Sequence, residues 1–453
     1  MLNLKITPNV NNNSDFYIFF CEKNFSFNSK KLSFLDINSK EINSILLKNK
    51  DEDYFVFNYH SSKPKKIIFI NQKGNKDEFK NQNIGGKVIS EIKSAKEINV
   101  IFSNENKSLE NYYFNFFLGC FLKKYSFTKY KTIFKKNENA KEIINLLITS
   151  SNKNFFIKIK NNIENIVNGV FLTRDLVSEP PNYLNPEKFV SEIKKLSKLG
   201  LKVDVFDYSK MKKIGMNALL GVAQGSKNLP YFVTITWKPN NSKNKKPLSF
   251  IGKGVCFDTG GISLKPAKFM EDMKYDMAGA GAVVGLMKTL ALRKSKSYVV
   301  GAVALVENMP GGSAQRPGDI VKSYSGKTIE VLNTDAEGRL ILADAIYYID
   351  EQYKPELIVD LATLTGAIVV SLGSEYAGLF SNNDKLSEKL IKAGEIENEK
   401  LWRFPLHKNY DKLMESKVAD MQNINYSGGA GSITAAQFLQ RFLKNGTPWA
   451  HLD

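Results

Sequence analysis

The stretch LSFIGKGVCFDTGGISLKPAKFMEDMKYDMAGAGA, residues 248–282, joins a short apolar run, a glycine-rich turn and a series of small residues. The run Leu248–Ile251 predicts a strand, and it leads directly into Gly-Lys-Gly. Ligand sites in open α/β sheets lie at the carboxyl ends of strands, so Lys253 and Asp258 are expected just past such an end. The Gly-Gly pair that follows allows the backbone to turn tightly there.

Strand-like and helical stretches alternate on both sides of this segment. The predicted strands are Tyr231–Trp237, Leu248–Ile251, Tyr298–Leu305 and Leu357–Leu361, and the predicted helices are Met277–Leu292, Arg339–Glu351 and Ile433–Leu443. Such alternation is typical of an α/β protein with a mostly parallel sheet covered by helices. Asp276 directly precedes a helix of Ala and Gly that can pack close to this sheet.

The N-terminal part predicts a smaller α/β domain without a catalytic constellation. Its predicted elements are the strands Phe16–Cys21, Lys66–Ile70 and Val100–Phe102 and the helix Leu109–Leu122. An apolar face at helical spacing then predicts a connecting helix, which Pro180 and Pro181 terminate. We therefore divide the chain into an N-terminal domain (1–155), a connecting helix (156–180) and a catalytic domain (181–453).

A second segment, NTDAEGRL at residues 333–340, follows another predicted strand. Asp335 and Glu337 are two positions apart, and in an extended stretch such residues point to the same side. Two carboxylates aimed together repel each other unless a cation lies between them. Each acidic residue also has an ordinary structural interpretation, Asp258 as a turn residue and Asp276 or Asp335 as a helix cap.

The composition narrows the kind of metal site and the kind of protein. The three histidines, His60, His407 and His451, form no HExxH-like pattern, so an oxygen-rich site for Mn²⁺, Zn²⁺ or Mg²⁺ is favoured over a histidine-rich zinc site. The net charge is +18, but the lysines are scattered, which favours solvated faces over a nucleic-acid module. The three cysteines, the lack of a long apolar run and the lack of a signal peptide predict a cytoplasmic protein.

Taken together, the two segments resemble the leucyl aminopeptidase family, the M17-type metallopeptidases. NTDAEGRL is the signature of that family, and GKGVCFDTGGISLKP is similar to its other active-site segment. The resemblance covers roughly residues 167–453 and includes four further stretches: TRDLVSEPPNYLNP (173–186), ENMPGGSAQRPGD (307–319), ATLTGA (362–367) and GGAGSITAAQFL (428–439). It implies an enzyme, a leucyl aminopeptidase that removes N-terminal residues from peptides with a leucine-like preference.

The resemblance also implies a site with two divalent metal ions, Mn²⁺ or Zn²⁺, with Mg²⁺ as a third option. Asp258 and Glu337 would be shared between the two ions. Lys253 and Asp276 would complete the tighter site, and Asp335 would belong to the looser, exchangeable one. Lys253 must then be neutral, because an ammonium has no lone pair, and nearby dications and burial both lower its pKa.

The family mechanism that the resemblance implies is attack by a water activated by the two metals. Lys265 would stabilise the oxyanion, and Arg339 would hold a bicarbonate ion that acts as the general base. Met273, Thr363 and Gly366 would help to line the pocket for the first side chain.

Family members also form homohexamers and continue beyond the position that matches Asp453. We therefore expect a hexamer of subunits and a missing C-terminal tail that contributes to the specificity pocket. No membrane partner is expected. The alternative function is that of a DNA-binding regulatory protein on the same fold, which the basic charge motivates.

Overall fold

The structure is a computed structural model, and it describes residues 2–11, 14–35, 37–60, 64–73, 77–92, 95–132 and 143–453. Two compact units are formed by Met1–Val167 and Asn168–Asp453. The division falls inside one long helix, Lys153–Ser178, which therefore contributes residues to both units. The three-part division of the chain into 1–155, 156–180 and 181–453 stays a prediction.

The first unit contains a six-stranded sheet and, among its described residues, three α-helices before the long one. The strands are β1 (Leu2–Thr7), β2 (Phe16–Cys21), β3 (Tyr54–His60), β4 (Pro64–Asn71), β5 (Glu97–Phe102) and β6 (Ile144–Thr149). The helices are α1 (Ser39–Lys48), α2 (Glu78–Ser90) and α3 (Glu110–Lys123), followed by α4 (Lys153–Ser178). The strand order is β1-β6-β5-β2-β4-β3, and every pair is parallel except β3–β4. The sequence thus correctly predicts an α/β unit here.

The second unit is built around an eight-stranded sheet. Its helices are α5 (Pro186–Lys194), α6 (Tyr208–Ile214), α7 (Asn217–Ala223), α8 (Ala278–Leu292), α9 (Gly338–Tyr353), α10 (Gly366–Leu372), α11 (Asp384–Glu397), α12 (Lys408–Lys412) and α13 (Gly431–Gln440). Its strands are β7 (Lys202–Phe206), β8 (Tyr231–Trp237), β9 (Leu248–Asp258), β10 (Val299–Asn308), β11 (Asp319–Lys322), β12 (Thr328–Val331), β13 (Leu357–Leu361), β14 (Ala377–Ser381), β15 (Leu401–Arg403), β16 (Met421–Gln422) and β17 (Trp449–Leu452).

The central strands of the large sheet are parallel, and both faces of the sheet are covered. The order is β15-β14-β17-β13-β9-β10-β8-β7, and the run β17-β13-β9-β10 is parallel throughout. One face packs against α8 through residues such as Val284 and Met287, and the opposite face packs against α9 and α13 through Leu340 and Phe438. The predicted α/β fold with a mostly parallel, helix-covered sheet is confirmed.

The helix α8 approaches the sheet at backbone contact distance, because glycines stand where the two meet. A Cβ added to Gly252 of β9 would lie 2.5 Å from Cα of Ala280, and one added to Gly279 would lie 2.0 Å from the carbonyl oxygen of Leu361. Neither position can therefore carry a side chain without displacing the main chain. This close approach places the start of α8 beside the middle of β9 and the carboxyl end of β13.

Candidate active site

Strand β9 carries two of the candidate ligands, but not in the way that the apolar run predicts. The run ends at Ile251, whereas the strand continues to Asp258. Lys253 therefore lies inside the strand, and Asp258 is its last residue, so the expectation that both lie past the strand end was wrong. The physical reason is the close packing of α8, which requires glycine at position 252 and thereby interrupts the apolar pattern that signals a strand.

The segment 333–337 brings its two carboxylates together in a turn. Strand β12 ends at Val331, α9 begins at Gly338, and the residues between them are not extended. The argument from extended spacing was therefore wrong in its geometry. Its conclusion nevertheless holds, since carboxylate oxygens of Asp258, Asp335 and Glu337 all lie within 4.8 Å of one another.

Lys253 lies at the buried end of this cluster. Its Nζ is 2.7 Å from Oδ1 of Asp276 and 2.9 Å from Oε1 of Glu337, and it also donates to the carbonyl oxygen of Thr363 at 2.9 Å. Burial alone would lower the pKa of this lysine, but the neighbouring carboxylates outweigh burial and raise it. The hydroxyl of Thr363 donates to Asp276 Oδ1 at 2.8 Å, so Thr363 holds both partners.

Lys265 lies on the more open side of the cluster. Its Nζ is 2.8 Å from Oδ2 of Asp258 and is also paired with Asp335. About a fifth of the side chain is exposed, whereas Lys253 is almost fully enclosed. Burial lowers the pKa of Lys265, but the charge of Asp258 and hydrogen bonds to Asp258 and Asp335 raise it overall, so the side chain stays protonated near neutral pH.

Two of the carboxyl groups are crowded and buried. Burial raises the pKa of Asp276 to about 6 and that of Glu337 to about 8, and the negative charge of Asp258 acts in the same direction on both. Oδ2 of Asp276 and Oε2 of Glu337 find no hydrogen-bond partner among the described residues. Buried acceptor oxygens without a donor are costly, and a divalent cation with a preference for oxygen ligands satisfies them. The donor set therefore fits the divalent metals that the sequence predicts.

The helix-cap interpretation of Asp276 and Asp335 does not hold, whereas the turn interpretation of Asp258 does. The position before α8 is occupied by Met277 and that before α9 by Glu337, and neither side chain caps its helix. Asp258 does accept a hydrogen bond from the backbone N–H of Gly260 at 2.8 Å, as a turn residue would. The positive φ angles of Gly260 and Gly261, 88° and 66°, form the tight turn that the Gly-Gly pair predicts.

Arg339 is buried in the first turn of α9. Its Nη1 donates to the backbone carbonyl of Asn423 at 2.9 Å, while its Nε has no hydrogen-bond partner among the described residues. Burial lowers the pKa of Arg339 to about 10, against the opposing charges of Glu337 and Asp453. A buried guanidinium with a free N–H is suited to holding a planar anion.

The three predicted pocket residues differ in how closely they contact the carboxylate cluster. Thr363 contacts both Lys253 and Asp276, as described above. Met273 is half-buried in a short 3₁₀ helix, and its carbonyl accepts from the backbone N–H of Asp276 at 3.3 Å. Gly366 is the exposed first residue of α10, and a Cβ added there would meet no atom within 4 Å. The structure thus joins Thr363 directly to the cluster, whereas Gly366 lines open space.

Two asparagines that the sequence left without a role support the cluster. Asn308, the last residue of β10, donates from Nδ2 to Asp258 Oδ1 at 2.8 Å and to the carbonyl of Thr334 at 3.0 Å. It therefore joins a ligand on β9 to the 333–337 turn. Asn423 binds the same turn from the other side. The only available sequence signal was for Asn308, which lies within the family-like stretch 307–319.

A second buried polar network lies on the neighbouring strands. Asp360 of β13 is paired in register with His451 of β17, and its carboxylate lies 2.6 Å from His451 Nδ1 and accepts from Trp449 Nε1 at 2.6 Å. Burial would lower the pKa of His451, but the charge and hydrogen bond of Asp360 raise it. The two residues are about 90 positions apart, so the sequence gives no local signal that they pair.

Comparisons with known proteins agree with this fold and site. The profile described as the cytosol aminopeptidase family, catalytic domain, matches residues 171–453. The chain is 50% identical over 418 residues to a probable cytosol aminopeptidase of Phytoplasma mali (strain AT), covering 88% of this chain and 84% of the relative. It is 54% identical over 373 residues to one of Chelativorans sp. (strain BNC1), covering 82% and 74%.

A solved structure is also similar. The Bottromycin maturation enzyme BotP in complex with Mn superposes with a TM-score of 0.80 at 27% sequence identity, covering 97% of this chain and 92% of that one. The protein has a parallel sheet with carboxylates at its edge. Together with these similarities, this places it in the class of metallo-exopeptidases, hydrolases that use divalent metal ions. The chain belongs to the cytosol aminopeptidase family. It is an aminopeptidase whose substrates are peptides, as the sequence resemblance predicted.

Within the part of the chain that the structure describes, no helix has the length and apolar character that crossing a bilayer requires.

Proposed function

We propose that this aminopeptidase removes leucine-like residues from the N-termini of peptides with the help of two divalent cations. One observation carries the proposal: the side chains of Lys253 and Asp276 and the carboxylates of Asp258, Asp335 and Glu337 converge at the carboxyl end of β9. This is the ligand set that the sequence resemblance implies. Oδ2 of Asp276 and Oε2 of Glu337, which have no hydrogen-bond partner among the residues that the structure describes, support metal binding.

The residues divide between two cation sites. Asp258 and Glu337 are shared, Lys253 and Asp276 belong to the tighter site, and Asp335 belongs to the looser one. The greater exposure of Asp335, 32% for its side chain against 6% or less for Asp276 and Glu337, supports this division. When bound, the pair of cations supplies a water of lowered pKa and polarises the scissile carbonyl. We propose Mn²⁺ or Zn²⁺ as the ions, with Mg²⁺ as a third option.

Lys253 has to give up one proton to serve as a ligand. Its ammonium now donates to Asp276, Glu337 and the carbonyl of Thr363. Loss of the proton shared with a carboxylate leaves a lone pair, and the N–H directed at Thr363 can remain. The Thr363 carbonyl thus holds the nitrogen in place in both protonation states. Cation binding is accordingly expected to release protons.

Lys265 and Arg339 carry the remaining chemistry in this proposal. Lys265 keeps its proton and is partly exposed, so it can donate to the oxyanion that develops on the scissile carbonyl. The buried Nε–H of Arg339 has no hydrogen-bond partner in the described part of the chain, which supports binding of a bicarbonate ion there as the general base. Met273, Thr363 and Gly366 line the pocket for the first side chain. The cytoplasmic location and the homohexamer remain part of the proposal.

The test is an assay of the 453-residue protein with leucine p-nitroanilide, in EDTA and after addition of Mn²⁺, Zn²⁺ or Mg²⁺, with metal content measured in parallel. Hydrolysis that depends on metal and disappears in Glu337→Ala supports the proposal. The exposed Glu356→Ala is the matched control and should behave as the wild type. A folded wild-type protein that binds two cations but hydrolyses no aminoacyl anilide would contradict the proposed activity.

The DNA-binding alternative is separable in the same preparations. It requires an affinity for duplex DNA that falls steeply with salt. Asp335→Ala should remove hydrolysis, whereas DNA binding would survive this change. Absence of salt-sensitive binding in the wild type removes the alternative.

A further inference from the structure

Asn423 occupies an unusual position between the 333–337 turn and Arg339. It follows the short strand β16, which pairs in parallel with β12, and its backbone N–H donates to the carbonyl of Glu330 at 2.9 Å. Its side chain is fully buried. It is therefore the first residue beyond the end of this small sheet, at the point where the ligand-bearing turn begins.

Among the described residues, the partners of the Asn423 side-chain amide are main-chain groups of that turn and of Leu332 directly before it. Oδ1 accepts from the N–H groups of Leu332 and Asn333 at 2.8 and 3.3 Å. Nδ2 donates to the carbonyls of Asn333 and Ala336 at 2.7 and 3.3 Å. A primary amide offers the same donor and acceptor as a peptide group. The side chain thus continues the hydrogen bonding of β12 and β16 where the backbone ladder has stopped.

The same residue also holds Arg339. The backbone carbonyl of Asn423 accepts from Arg339 Nη1 at 2.9 Å. A second link extends from the turn toward the cations, because the side chain of Asn333 accepts from the backbone N–H of Asp335 at 2.8 Å. A chain of hydrogen bonds therefore runs from Asn423 through Asn333 to Asp335 on one side and reaches Arg339 on the other.

We infer that Asn423 is a positioning residue that fixes the spacing between the Asp335 and Glu337 carboxylates and the guanidinium of Arg339. The turn has no regular secondary structure to hold it, and its most exposed ligand, Asp335, depends on this support. The cation site that includes Asp335 is therefore the one that loss of the Asn423 amide weakens first. The inference rests on the proposed function only in that these carboxylates bind cations.

The test compares the buried Asn423 with the exposed Asn382, whose side-chain amide also bonds to main-chain groups. The side chain of Asn382 accepts a hydrogen bond from the backbone N–H of Trp449 at 2.7 Å and donates one to the backbone carbonyl of Thr447 at 3.1 Å. Both contacts lie at the amino-terminal end of β17. Asn423→Ala and Asn382→Ala both remove an amide that imitates a peptide. Both should lower the melting temperature of the EDTA-treated protein. Only Asn423→Ala should also change how Mn²⁺ binds.

The decisive readout is titration of EDTA-treated protein with Mn²⁺ by calorimetry, below the melting temperature of each variant. Removing a group that orients metal ligands typically costs about 10–100-fold in affinity. We expect such a loss at the weaker Mn²⁺ site in Asn423→Ala, with the tighter site changed far less. In Asn382→Ala both affinities should stay within about twofold of the wild type, well below that range.

A third variant covers the case in which Asn423→Ala does not fold. Asn333 is half-buried, and Asn333→Ala removes the link to the backbone of Asp335 while leaving Asn423 in place. It should weaken the same Mn²⁺ site. The inference would be overturned if the folded Asn423→Ala protein bound Mn²⁺ at both sites as tightly as the wild type does. If only Asn333→Ala folds, the same result in that variant would overturn it. Failure of the wild type to bind Mn²⁺ would instead count against the proposed function.

Discussion

Lys253 Nζ lies 2.9 Å from Oε1 of Glu337, and each side chain is only 3% exposed. The same ammonium reaches Asp276 at 2.7 Å, so one lysine is the ion-pair partner of two buried carboxyl groups. Removing one member of a buried ion pair is strongly destabilising, because the remaining charge has neither water nor a partner. Lys253 therefore contributes to the stability of the site as well as to the proposed binding of cations.

Replacing Lys253 by methionine, which keeps most of the side-chain volume, should destabilise the EDTA-treated protein. The expected loss in free energy of unfolding is about 3–5 kcal/mol, as for other buried pairs that lose one partner. Urea unfolding followed by circular dichroism measures it. The control is Lys195→Ala, which removes an exposed pair with Glu192 and should cost no more than about 1 kcal/mol. Equal losses in the two variants would show that the buried pair is not stabilising.

Replacing Lys265 by alanine should lower kcat by about 10²–10³-fold, the usual effect of losing one donor to an oxyanion. Mn²⁺ binding should persist, since this lysine is paired with Asp258 and Asp335 and its removal leaves more net negative charge for a cation. Lys268→Ala is the matched control, because Lys268 lies over the ring of Phe269 and not on the carboxylates. A drop in kcat that is fully explained by lost Mn²⁺ would contradict the assigned role.

Replacing Gly366 by valine tests the pocket for the first side chain. An added Cβ meets no atom within 4 Å, so the fold should tolerate the change and the new side chain should occupy space proposed for the substrate. We expect kcat/KM for leucine p-nitroanilide to fall by about tenfold or more, and that for alanine p-nitroanilide to fall less. Gly312→Val, also in open space, is the control. Equal losses for both substrates would remove Gly366 from the specificity pocket.

Asp344 should make the free energy of unfolding of the protein depend on pH. It is fully buried in α9 and accepts from the N–H groups of Tyr324 and Leu219 at 2.7 and 3.0 Å. Burial raises its pKa from 3.8 to about 7, against these hydrogen bonds. The folded protein thus holds this proton more tightly than the unfolded chain does. The resulting stabilisation is complete below about pH 3.8 and is lost as the pH rises through about 7.

The variant Asp344→Asn cannot titrate and should lack this contribution. The free energy of unfolding of the wild type should therefore exceed that of the variant by more at pH 5 than at pH 8. Urea unfolding in EDTA measures both free energies. Asp350→Asn serves as the control, because Asp350 is a buried acceptor on the same helix, bonded to Lys444 and Thr447. A difference for Asp344→Asn that is independent of pH would exclude the titration of this group.

The sequence predicted those parts of the molecule that depend on local pattern. Strands such as Tyr231–Trp237 and Leu357–Leu361 were located to the residue, because an apolar run bounded by turn residues is a local signal. The ligand-bearing segments were found by resemblance to a family motif. Their assignment as ligands stays a prediction.

The parts that sequence could not supply depend on packing between distant segments. The continuation of β9 through Lys253 follows from the approach of α8 to Gly252, which no neighbouring residue reveals. The support that Asn423 gives to the turn joins positions about 90 apart, as does the pair Asp360–His451. Such contacts become visible only once the strands are placed side by side.

The contact of α8 with the sheet at Gly252 and Gly279 has a consequence for how this enzyme can diverge. Main-chain atoms meet directly there, so the gap between strand and helix is set by atomic radii and not by the choice of core side chains. Substitutions elsewhere in the core can change the stability of the unit without altering the distance between Lys253 and Asp276. Core residues can therefore be exchanged over evolution while the spacing of these two groups is retained, provided that the glycines at positions 252 and 279 are kept.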